Sequence, residues 1–259
     1  MGSRLQLQLE DVVMAAAFVG ARVSGLLVFA PFLGSSAIAP RIKVGLVVTL
    51  TALLYPVCGP RGLSLTAGGA LRVMFSEALV GMLIGLAVQF VFEAAQFAGQ
   101  FMGMQVGFGL VNILDPSTQV DTPVLAVFSQ TLAMLIFLQL GVHRWIIRAL
   151  ASSFAYLPAG AAAAGGELTR QLLHAAGGIW LAGVQIAAPA LIATLLTDLV
   201  LGFLGKASPQ LPVLFLGLSV KSMVGLTVLA LSLKYWPAIF ERYFTSAIRV
   251  GERLLQLAH

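Results

Sequence analysis

Long apolar runs, interrupted by almost no charge, constrain this chain more than any other feature. A membrane-crossing helix needs roughly 20 apolar residues. Six stretches approach or exceed that length: Val12 to Leu33, Val44 to Val57, Ala78 to Phe92, Val124 to Val142, Ala175 to Leu204 and Val213 to Leu233. The third continues with a changed character towards Gly107, and the fifth is expected to break at Pro189. Only 10% of the residues are charged, against about 25% in a soluble domain, and 59% are hydrophobic. That leaves too little charge to cover a water-facing surface, which excludes soluble enzymes, nucleic-acid modules and disordered scaffolds. Unpaired backbone groups are costly in lipid, so the runs should be helical, and no period-two alternation suggests a barrel. The expected fold is all-α: a single integral membrane domain over residues 1–259, polytopic, with about six hydrophobic helices. Residues 239–258 space Ile239, Tyr243, Ala247, Val250 and Leu254 at three and four, which predicts an amphipathic C-terminal helix.

The net charge of +5 is better read as a guide to orientation than as a nucleic-acid signal. With six crossings the terminal side carries 10 Lys and Arg, from Arg4 through Arg253; the other side carries Arg41, Lys43 and Lys206. The positive-inside bias then places both termini in the cytoplasm and the stretch from Gly107 to Pro123 outside. The residues before the first run form no basic leader, so that run is expected to remain as an uncleaved span. Cys58 is the only cysteine, and His143, His174 and His259 lie far apart, so neither a cysteine-based metal site nor a cofactor is expected. No Walker loop, HExxH or dinucleotide fingerprint occurs, and no serine has a paired histidine and acid at a recognisable spacing. A chain of this kind is a conduit, a carrier or an assembly part rather than an enzyme.

Between Gly81 and Pro123 the sequence is most informative. Gly81 and Gly85, then Ala95, Gly99, Gly103 and Gly107, place small residues at four-residue intervals, where another backbone can approach closely. Alongside runs a polar row, Gln89, Glu93, Gln96 and Gln100, on one helical face. Two readings stand: an amphipathic helix at the membrane surface, or the wall of a hydrated conduit. After Gly107 the pattern breaks, and Pro116 pushes Asp115 out of helical geometry. The preceding loop is apolar, with Phe108, Leu110, Val111, Ile113 and Leu114, so it should pack into something: the protein's own helices or an opening. Arg22, Glu77, Asp198 and Lys221 put charges within or beside apolar runs. A centred charge costs roughly 2.5–3.5 kcal/mol on translocon scales, so Asp198 should point inward, paired with Lys221 or Lys206, or protonated.

These stretches resemble the FliR family, the R component of the bacterial flagellar protein-export gate, and the related component of type III secretion injectisomes. The likeness rests on Arg22-Val-Ser-Gly with Pro31 and Pro40-Arg41, on Glu77-x-x-x-Gly81-x-x-x-Gly85, and on Gly103-Met-Gln-Val-Gly-Phe108 with Asp115-Pro116. It continues through Ser153-Phe154, Leu157-Pro158, Gly202-Phe-Leu-Gly-Lys206, Pro209-Gln210 and Lys221. The resemblance implies bent helical hairpins in a helical assembly around a channel for unfolded flagellar substrates. It implies two smaller membrane partners (P- and Q-type subunits), a B-type export-switch protein, and an inner-membrane place within the flagellar basal body. It implies no nucleic acid. Energy would come from the export apparatus's ATPase and the proton gradient through other subunits. It also implies that Gly107, Phe108, Leu110, Val111, Ile113, Leu114, Asp115 and Pro116 form a plug that closes the pore. A secondary transporter remains the rival, although no inverted repeat is evident.

Overall fold

Helix is the form in which an apolar run can satisfy its own backbone, and the computed structural model shows it throughout. It describes residues 2–31, 34, 38–58, 67–108, 123–159, 166–208 and 213–257, and every regular element among them is helical. The α-helices are α1 (Gly2–Phe29), α2 (Pro40–Cys58), α3 (Ala67–Val106), α4 (Val124–Gln139), α5 (Val142–Tyr156), α6 (Gly166–Ala207), α7 (Val213–Ser232) and α8 (Trp236–Leu257). A short 3-10 turn, Leu233–Tyr235, joins the last two.

Local chemistry sets several of the boundaries. Pro40 opens α2, where its missing N–H would have gone unused and its φ suits the first turn. Gly141, at φ +67°, stands between α4 and α5 in the left-handed region that only glycine enters freely. It divides the expected Val124–Val142 span: α4 has 16 residues, too few to cross alone, and α5 follows with polar His143 and Arg144. Pro158 follows the last turn of α5, where a further helical residue cannot be added easily.

Among the described residues, five stretches are long and apolar enough to cross a membrane: Val12–Phe29, Pro40–Cys58, Gly68–Val106, Leu173–Ala207 and Gly217–Arg253. Counting α4 and α5 together brings the number to six. The chain is an all-α polytopic membrane protein. A further expectation about its segments is corrected. Pro189 does not break α6, which continues through it for 42 residues; in apolar surroundings neighbouring packing compensates for the lost bond, and Ile186, Ala187 and Ala190 are all buried. The third run continues past Phe92 as expected, and α3 is one helix of 40 residues that starts at Ala67, before the expected Ala78. At 1.5 Å per residue that is about 60 Å, twice the roughly 30 Å hydrocarbon layer.

The chain groups into two units interleaved along the sequence. The first comprises residues 1–90, 141–176 and 244–259, the second 91–140 and 177–243. In the first, Phe18, Val19, Val23 and Leu26 of α1, Val80, Ile84 and Val88 of α3, and Ile146 and Leu150 of α5 are buried. In the second, Ala95, Ala98 and Met102 of α3, Ala126, Ala133 and Phe137 of α4, and Ala190 of α6 are buried. Phe92 meets Phe137 edge-on with ring centroids 5.6 Å apart, the geometry aromatic quadrupoles favour. Because lipid is itself apolar, such packing works through close contact more than through expulsion of water. On α8 the buried stripe is Trp236, Phe240, Phe244, Ala247 and Gly251. It is offset from the expected stripe, of which Ile239, Tyr243 and Val250 are only half-buried; the aromatic rings take the inward positions.

Candidate functional site

In the first unit the chemistry centres on Arg22, whose side chain is wholly buried. Glycines bring it into place. A Cβ added to Gly81 would lie 1.9 Å from the Arg22 carbonyl oxygen, and one on Gly25 would lie 2.0 Å from that of Ala78. With glycine at both positions, α1 and α3 touch backbone to backbone. Glu77, one turn before Gly81, thereby reaches Arg22. The guanidinium Nε donates to Glu77 Oε2 at 2.6 Å, Nη1 donates to Ser153 Oγ at 2.9 Å and Nη2 donates to the Leu157 carbonyl at 2.9 Å. Phe154 presents its ring face 3.9 Å below the guanidinium carbon. Each partner offsets part of the desolvation cost. The carboxylate balances charge, Ser153 and Leu157 each accept from one of the two terminal nitrogens, and the C-terminal end of α5 carries a negative dipole. Glu77 is also fully buried.

The second unit holds the end of α3. There Gly107, at φ +102°, stops the helix. Its N–H reaches Met104 O at 3.3 Å and the Phe108 N–H reaches Gly103 O at 3.0 Å, the paired bonds of a Schellman cap. The Val106 carbonyl, left over by that cap, accepts from Ser222 Oγ of α7 at 2.7 Å. One residue earlier, Gln105 Nε2 donates to Asp198 Oδ2 of α6 at 3.3 Å. Lys221 Nζ donates to the same oxygen at 2.7 Å. Lys221 rather than Lys206 is thus the partner of Asp198. The expectation that Asp198 points inward is corrected: its side chain is 44% exposed, that of Lys221 18%. Leu195, Leu196, Leu199 and Val200 beside it are exposed too, because this chain alone does not cover that end of α6.

The other residues singled out in the sequence fall as follows. Gly85 allows close approach to Leu26 and Phe29, and Gly99 to the backbone of Leu125 and Ala126. Gly103 differs, since a Cβ there would make ordinary contacts at 3.8 Å. Gln89, Glu93, Gln96 and Gln100 are all half-buried along α3. Phe108 is 40% exposed. Leu110, Val111, Ile113, Leu114, Asp115 and Pro116 lie outside the described residues. Among the described residues no group of three or more His, Cys, Asp or Glu could hold a metal. Sequence reasoning assigned no role to Gly25, Gln105, Ser222 or Gly225. Only Gly25, four residues before Phe29 and three after Arg22, had a usable signal in its small size.

Comparison with known proteins places this geometry in a family. The family described as "Bacterial export proteins, family 1" matches residues 13–247. The chain belongs to that family. It is similar to the flagellar biosynthetic protein FliR of Escherichia coli, at 31% identity over 209 residues, 81% of this chain and 80% of the relative. The FliR of Pectobacterium carotovorum is 31% identical over 224 residues, covering 86% of each chain. That of Bacillus subtilis is 27% identical over 251 residues, covering 95% of this chain and 96% of its own. The export-family match includes both the Arg22 cluster and the residues that grip the end of α3.

Proposed function

We propose that this chain is an R-type subunit of a flagellar protein-export gate. In this reading it forms part of the wall of a channel for unfolded substrates across the inner membrane, and its Gly107–Pro116 loop plugs that channel. The observation that carries the assembly is the exposed ion pair of Asp198 and Lys221, set among exposed leucines and valines within membrane-length helices. A charged pair facing lipid would be costly; facing a neighbouring subunit or a hydrated lumen it is not. The lengths of the 39-, 35- and 37-residue stretches support the same reading, since each exceeds one crossing and the surplus apolar surface calls for protein neighbours. Those neighbours are P- and Q-type subunits, with the B-type switch protein joining them, and helices bent into hairpins within the assembly. The half-buried row from Gln89 to Gln100 supplies a polar face for the conduit.

The plug is what the family resemblance implies, and composition and position support it. Five apolar side chains, Phe108, Leu110, Val111, Ile113 and Leu114, follow a helix that ends at Gly107, and an apolar constriction can close a pore by excluding water. The chain then contributes shape and a seal rather than a reaction. The flagellar relatives favour the flagellar machine over the injectisome. The termini are proposed to be cytoplasmic, on the excess of Lys and Arg on their side. Purification from native membranes should bring down a large complex with two smaller membrane proteins. Bilayers holding that complex should leak ions once Leu110 to Leu114 are deleted. Recovery of the chain alone would overturn the assembly, and tight bilayers with the deletion would overturn the plug.

A further inference from the structure

We propose that Ser222, Lys221 and Asp198 are positioning residues that clamp the root of the plug, so that the loop leaves α3 at one fixed place and direction. The inference deepens the plug reading and rests on it. Three observations converge on the last turn of α3. Its final carbonyl, Val106, is held by the Ser222 hydroxyl at 2.7 Å. Its Gln105 side chain reaches Asp198, which Lys221 holds at 2.7 Å. Its Val106 side chain lies so close to Gly225 that a Cβ there would come within 2.5 Å of Val106 Cγ2 and 3.0 Å of Thr194 Cγ2. The last turn of α3 is thereby tied to both α6 and α7.

A helix end would ordinarily fray, because its last carbonyls have no partner within the helix. Here the Schellman pair takes up those of Gly103 and Met104, and Ser222 that of Val106. Gly107 then sets the direction of departure, and a Cβ at that position would strike Leu218 Cδ1 at 2.4 Å as well as strain the backbone. A plug needs such a root. An apolar segment seals only while it is held in register with the opening, and each residue of fraying at its base adds about 3.3–3.6 Å of slack. The clamp explains why two polar side chains on α7, at adjacent positions, face α3 and α6 instead of being apolar like their neighbours.

The test uses the gate complex purified from native membranes and placed in planar bilayers. Ser222→Ala is expected to leave the yield of complex near that of the unaltered protein and to raise resting ion leak several-fold; Lys221→Met, which breaks the pair with Asp198, is expected to lower the yield and to raise the leak of the complex that is recovered. Ser222→Thr, which keeps the hydroxyl, should restore the seal, as should the exchange Asp198→Lys with Lys221→Asp. Rescue by the hydroxyl or by the exchanged charges is not expected of residues that merely fill space. The Leu110–Leu114 deletion runs beside them. If it leaks while Ser222→Ala and Lys221→Met stay tight, the clamp is overturned and the plug stands. If the deletion is itself tight, the plug is overturned and the clamp with it. Should Lys221→Met fail to assemble, Ser222→Ala decides, because removing one hydroxyl leaves the apolar contacts of α7 intact.

Discussion

Two ion pairs, one in each unit, show what burial does to the same chemistry. Arg22 and Glu77 are completely inaccessible, and every guanidinium nitrogen has a partner within the first unit. Asp198 and Lys221 are partly open, and the carboxylate shares one oxygen between Lys221 and Gln105. The first pair is therefore part of how its unit folds. It joins α1 and α3 and takes up the loose end of α5, and no solvent or subunit could replace its partners. The second pair is available to something beyond the chain, and its value lies in what it positions and what it meets. A charge in an apolar protein is thus informative only with its exposure.

Breaking the closed pair should have the largest effect. Arg22→Ala or Glu77→Ala strands a buried charge, which costs about 3–5 kcal/mol, so little folded protein should be recovered from membranes in detergent. Replacing both with apolar residues of similar volume should be less harmful than either single change. If single and double variants are recovered equally, the two residues do not act as a pair. Next comes Gly81→Ala, which forces α1 and α3 apart at the turn that carries Arg22. Overpacking of this kind costs about 1–3 kcal/mol, to be read as a lower midpoint of thermal unfolding; an unchanged midpoint would mean the backbones are not in contact.

The open pair should behave differently. Asp198→Ala should alter the stability of the isolated chain by less than about 1 kcal/mol, as for exposed pairs generally, yet reduce recovery of the complex. Unchanged recovery would remove the reason for treating the two pairs as different in kind. The smallest effect should be at Gly103, whose added methyl makes only 3.8 Å contacts. Gly103→Ala should be neutral or stabilising, since alanine exceeds glycine in helix propensity by about 1 kcal/mol. A clear loss of stability there would show that the glycines of α3 act as one hinge rather than as separate contacts.

The glycine row illustrates how far sequence could be read. Spacing put Gly81, Gly85, Gly99 and Gly103 on the same footing. It could not tell that three of them meet backbone while Gly103 meets side chains at ordinary distance, because that depends on what arrives from elsewhere in the chain. Asp198 is similar. Its need for a partner was legible from its apolar surroundings, and Lys221 was one of two choices, but its 44% exposure was not. At Pro189 and Gly141 local rules gave opposite errors. Proline was expected to break a helix that packing keeps whole. Glycine passed unremarked inside an apolar run that a positive φ divides.

What the sequence determined by itself was the solvent and the class of structure. With so few charges the chain belongs in lipid, and in lipid the backbone must close its own hydrogen bonds, so membrane-length helices follow from composition and run length alone. The ordered motifs determined the family as well, because a series of residues in fixed order is a property of the chain and not of its folding. Tertiary structure decided which residues act together. Arg22 lies 55 positions from Glu77 and 131 from Ser153, and Ser222 lies 116 from the carbonyl it caps. Helical periodicity relates residues three or four apart, whereas a donor and acceptor separated by a hundred are joined only when helices pack at a particular depth and rotation.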